Sequence, residues 1–118
     1  MPYDISLMKD RGVIEAVFSG SVTIAERIEA MQTIAKCSQR SGAVRLLADF
    51  QQARPKVGSH EETTAYAEQL ASEPTLRKMT IAYVGTPEQT ANIELVAAVR
   101  GYFFQRFSST AAALRWLE

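Results

Sequence analysis

The spacing of apolar residues changes several times along the chain, and each change marks an element. Tyr3, Ile5 and Leu7 alternate with Asp4 and Ser6, a period of two that predicts a strand with one wet face. After the turn signal Asp10-Arg11-Gly12, Ile14, Ala16 and Phe18 alternate with Val13, Glu15 and Val17. Two short strands joined by residues 9–12 make a hairpin. The period then lengthens. Ile24, Ile28, Met31 and Ala35 recur at helical spacing, with Glu29, Thr33 and Lys36 on the opposite side. Thr23 and Glu26 form a capping-box pattern before this helix, and Ser41-Gly42 ends it.

Residues 43–50, AVRLLADF, are a mostly apolar run that fits a strand buried on both faces. A loop with Pro55 and Gly58 follows, and Ser59 with Glu62 makes a second capping box. The helix it opens carries Tyr66, Ala67, Leu70 and Ala71 on one side, a thin face with only two large residues, and Glu73-Pro74 stops it. Residues 78–84, KMTIAYV, form the next strand. Thr86 caps a third helix with Pro87 at its first position; that helix runs to Arg100 and Gly101 closes it. Residues 102–107, YFFQRF, form a last strand, and Ser108 or Ser109 caps a final helix holding Ala113, Leu114, Trp116 and Leu117. Asp49 stands at the end of the central strand and reads as a loop or capping residue.

The order β-β-α-β-α-β-α-β-α predicts an α/β fold: a mixed, mainly parallel sheet of about five strands with right-handed crossovers, covered by four helices. At 118 residues, with no linker or repeat, the expectation is one domain over residues 1–118. Thirteen basic residues balance thirteen acidic ones, which argues against nucleic acid as the main partner. The longest apolar run, residues 95–99, is too short for a membrane span. With a lone Cys37 and no basic-then-apolar start, the expectation is a cytoplasmic protein.

The order and length resemble the STAS domains, whose best-known soluble members are the bacterial anti-sigma-factor antagonists of the sporulation type. The opening hairpin, the central VRLLADF and the ending RGYFFQRFSSTAAALRWLE carry the resemblance. The ending resembles the variant branch related in shape to lipid-carrying CRAL-TRIO domains. In the antagonists a serine at the start of the helix after the central strand is phosphorylated by a partner kinase, and the added charge breaks the partner complex. Laying Asp49-Phe50 on the end of that strand puts Ser59 on the serine. The family's Asp-Ser-Ser-Gly is Val57-Gly58-Ser59-His60 in this chain.

Ser59 therefore fits two readings. It is an ordinary N-cap, worth about 1 kcal/mol. It is also a phosphate acceptor at a helix start, with Gly58 before it, Arg54 and Lys56 near enough to pair with the phosphate, and Glu61 and Glu62 opposed to it. His60 is the only histidine and points about 100° from Ser59 on a helix, so the two are not a nucleophile–base pair. One histidine and one cysteine leave no transition-metal set, and Cys37 reads as a small packing residue. Gly85-Thr86-Pro87 is explained by capping alone, and the aromatics of YFFQRF by core packing. The third predicted helix is apolar most of the way round. Ile93, Val96 and Ala97 extend its apolar side and make it a candidate face for another chain, a second copy included.

The expectation is a non-enzymatic regulatory module that binds another protein, without cofactor, switched by phosphorylation. The alternative is a carrier of a small apolar ligand or lipid, held between sheet and helices beneath the thin second helix.

Overall fold

The computed structural model describes residues 2–55, 60–87 and 103–118. Its centre is a five-stranded sheet in the order β1-β2-β3-β4-β5. The hairpin forms as predicted: β1 (Tyr3–Met8) runs antiparallel to β2 (Val13–Val22). Strands β3 (Arg45–Pro55), β4 (Thr80–Val84) and β5 (Phe103–Phe107) then add in parallel, each beside its predecessor.

Helix α1 (Ile24–Ser41) lies between β2 and β3 in the chain and carries both predicted caps. Thr23 Oγ1 accepts from the Glu26 amide at 3.2 Å, and Glu26 Oε1 accepts from the Thr23 amide at 2.8 Å. Gly42, at φ 78°, donates its amide to the Ser38 carbonyl and closes the helix in the left-handed conformation that glycine adopts freely. Helix α2 (His60–Ala71) follows β3. Pro74 does more than stop α2: it begins a single turn, α3 (Pro74–Arg77), whose Thr75 amide donates to the Glu73 carboxylate. Helix α4 (Thr110–Leu117) follows β5, and of the two candidate caps it is Ser109 that accepts, from the Ala112 amide at 3.2 Å. Of the third predicted helix only Pro87 is described; residues 88–100, with Ile93, Val96 and Ala97, lie outside the described residues, as do Gly101 and Tyr102.

Alternation along the strands assigns each face its cover. Ile14, Ala16 and Phe18 of β2, Leu46, Ala48 and Phe50 of β3, and Ile81 and Tyr83 of β4 join one buried cluster with α1, Tyr66 of α2 and Leu76 of α3. Val13, Leu47, Ala82 and Val84 form a second cluster with Ala113 and Leu117 of α4. The central strand is therefore buried on both faces over Leu46, Leu47 and Ala48, although it begins at Arg45 and Val44 of the predicted run is 51% exposed.

Two expectations about strands need correction. The central strand does not end at Asp49 but continues through QQARP to Pro55, paired with residues 19–22 of β2. Between Val17 and Ser19 of β2 lies one residue, while their partners Asp49 and Gln52 are separated by two, so β3 carries a bulge. The bulge shifts the alternation, and Ala53 is buried in the same cluster as Phe50. Asp49 is thus a strand residue, and its Oδ1 accepts the Gln51 amide at 2.9 Å within the bulge. Secondly, β5 is an edge strand. Phe103 remains 65% exposed while stacking on Trp116 at 5.6 Å, and Phe104 and Phe107 are only half-buried. Core packing therefore does not account for all of this strand's aromatics.

Candidate functional site

Two places are candidate sites: the far end of β3, ahead of α2 in the chain, and the space between the sheet and its helices. At the first, Arg54 is exposed. Lys56, Gly58 and Ser59 lie outside the described residues, but α2 begins at His60, directly after Ser59 in sequence. Glu61 and Glu62 occupy its exposed first turn. Beside this end, Gln51, Gly85, Thr86, Pro87, Arg106 and Ser108 line an open depression, where the Arg106 guanidinium donates to the Gly85 carbonyl at 3.1 Å.

The second place is built by aromatic side chains. One from each strand, Tyr3, Phe18, Phe50, Tyr83 and Phe104, forms a row across the sheet on the α1 side, with successive ring centroids 6.2, 4.4, 6.4 and 5.9 Å apart. The ring planes of Phe18 and Phe50 are nearly parallel, at 4°. At the end of the row the Tyr3 hydroxyl donates to Glu29 Oε1 of α1. That bond, helped by burial and the carboxylate's charge, raises the Tyr3 pKa above its ordinary 10.0.

Above the middle of the row is a partly enclosed cavity of about 40 Å³. Phe18, Phe50 and Tyr83 form part of its floor, Met31 and Ile34 come from α1, and Tyr66 from α2. That volume holds about three water molecules. Of the described side chains of α2, only Tyr66 is buried, at 7% exposure, so the helix predicted to be thin covers this region lightly.

One wall of the cavity is Arg27, from the first turns of α1 and only 5% exposed. Its guanidinium carbon lies 5.5 Å from the centroid of Phe50, a cation–π contact. Its Nε has no hydrogen-bond partner among the described residues, and no carboxylate among them pairs with it. Burial lowers the Arg27 pKa from its ordinary value, with Tyr66 and Tyr83 acting in the opposite sense. Sequence reasoning passed over Arg27, although a signal was present. It lies three residues after Ile24 and four before Met31, on the apolar stripe itself.

Cys37 is half-buried and packs against the main cluster, in line with a packing role. Among the described residues no group of histidine, cysteine and carboxylate side chains is placed to hold a metal ion, and no helix is long and apolar enough to cross a membrane.

Solved structures share this architecture over nearly its whole length. An uncharacterised protein from Shewanella loihica PV-4, of the DUF3478 family and with a SpoIIAA-like fold, superposes with a TM-score of 0.62 at 17% identity, covering 98% of this chain and 92% of its own. The anti-sigma factor antagonist SpoIIAA in its unphosphorylated form gives 0.61 at 8% identity, over 98% of this chain and 96% of that one. The fold is STAS-like. SpoIIAA in its phosphorylated form, described as a Bacillus cell fate determinant, gives 0.54 at 10% identity, over 97% of this chain and 98% of its own. No family model matches the sequence, and no curated protein matches it. At these identities the STAS-like likeness is one of fold.

Proposed function

We propose that this chain is a non-enzymatic regulatory module that acts by binding another protein through the β3–α2 end of the sheet, with Ser59 as a phosphate-accepting switch. The observation that carries the reading is the whole-chain likeness to an anti-sigma factor antagonist solved in both phosphorylation states. The start of α2 at His60 supports the choice of Ser59. A phosphate directly before a helix is favoured by the helix dipole and by amides that lack partners in the first turn. Exposed Arg54 offers a counter-charge nearby, while Glu61 and Glu62 oppose the phosphate and weaken its hold on the helix.

The experiment is mass spectrometry of the protein from its own host, joined to partner capture with Ser59→Ala and Ser59→Asp. Phosphate on Ser59, with the aspartate variant losing a partner that the alanine variant keeps, is the expected result. An unmodified Ser59 under every growth condition, with both variants capturing alike, removes the switch.

A second reading, binding of a small ligand between sheet and helices, is favoured by the cavity under α2. Its 40 Å³ suits a molecule of a few heavy atoms and is far too small for a lipid chain.

A further inference from the structure

Resting on that second reading, we infer that the cavity is a binding site for a short-chain monocarboxylate. The carboxylate pairs with Arg27, and its one or two carbons lie against the rings and aliphatic groups of the wall.

The argument begins with the unmatched charge. A buried guanidinium without a carboxylate partner is costly, because the charge has left water and gained only part of its solvation back. The Phe50 face returns some of it, but a ring attracts the cation without accepting the hydrogen bonds of a guanidinium. Arg27 Nε has no acceptor among the described residues, and Arg27 borders the cavity. An anion in that volume supplies both the missing countercharge and an acceptor for Nε.

The shape of the donor and the size of the space narrow the class of anion. A guanidinium presents a planar fork that matches the two oxygens of a carboxylate. Arg27 is the one cation among the described lining residues, and the rest are apolar or, in Tyr66 and Tyr83, neutral phenols, so a single negative charge is matched and a second is not. Volume for about three waters accepts acetate or propionate and excludes an octanoate chain.

The test is an NMR titration of the full chain with propionate, and in parallel with neutral propanamide of nearly equal size. Saturable amide shifts around Arg27, Phe50, Tyr66 and Tyr83 are expected with propionate, with propanamide at least about tenfold weaker. In Arg27→Met that preference disappears while the rest of the spectrum keeps its native dispersion. Arg27→Lys, which keeps the charge but loses the fork, is intermediate. Equal binding of propionate and propanamide by the unaltered protein overturns the carboxylate assignment and leaves the small-ligand reading standing. Binding of neither overturns both, and the cavity then holds water. The comparison on the unaltered protein decides the matter even if a variant fails to fold.

Discussion

Replacing Arg27 by methionine should stabilise the unliganded protein, against the usual effect of altering a buried residue. Methionine keeps an unbranched stem of similar length, so most contacts of the arginine methylenes with the core are retained. Its sulfur can rest on the Phe50 ring for about 0.3–1.5 kcal/mol. What is lost is the cation–π contact at 5.5 Å, worth about 2 kcal/mol when desolvated. What is removed is the desolvation of a side chain only 5% exposed, several kcal/mol for a lone ion. Solvation of the charge by water admitted to the cavity would set the lower end of the gain. The balance is a gain of about 1–3 kcal/mol. For a chain of this length that raises Tm by roughly 4 °C per kcal/mol. Urea unfolding with an unchanged slope and a higher midpoint is the measurement, repeated by calorimetry. Because Arg27 stays protonated through neutral pH, the gain should be constant between about pH 6 and 8. A loss of more than about 1 kcal/mol would falsify the account, since it requires a strong partner for the guanidinium that the described residues lack.

Two further tests address the frame around the site. Gly42→Ala should cost about 1–2 kcal/mol, read from the urea midpoint; a Cβ there meets nothing within 4 Å, so the whole effect is the left-handed backbone at φ 78°. A neutral result means the cap has relaxed to another conformation. Tyr3→Phe should lose about 1 kcal/mol at neutral pH, through the hydrogen bond to Glu29. The raised Tyr3 pKa gives this bond a pH signature: its contribution is complete below the ordinary 10.0 and is lost as pH climbs through the higher folded value. Stability curves of the two proteins should therefore converge above pH 10, and curves that stay parallel there remove Tyr3 as the cause.

What was legible in the sequence was local. The capping box of Thr23 and Glu26 needs only residues three apart, and Gly42 only its own backbone; both stand as read. The alternation of Ile14, Ala16 and Phe18 assigned their face without knowledge of what covers it. What failed was set by pairing. The polar QQARP has weak strand propensity and is held extended by residues 19–22 of β2, so no period announced it. The bulge at Asp49 exists only relative to that partner. Phe103 is hydrophobic enough for a core, but its exposure follows from standing on the last strand of the sheet. Pro74 signals a break wherever it stands, and the turn it opens depends on Glu73 accepting from Thr75.

The cavity and the buried arginine are better understood together than apart. Phe18 and Phe50 lie flat against each other at 4.4 Å, and flat stacked rings cannot rotate to fill a hollow above them. From α2 only Tyr66 among the described side chains reaches down. An apolar side chain at position 27 could close the gap and would complete the stripe of Ile24, Met31 and Ile34. Arginine there does the reverse, because a guanidinium in a closed apolar core needs water or a counter-ion beside it. Space at the centre of the domain is therefore a condition for the charge to remain buried. Stability alone does not account for that pairing, since methionine at this position should stabilise the same fold. A charge kept at a cost, beside a space of matching size, is what a built site for a small anion requires.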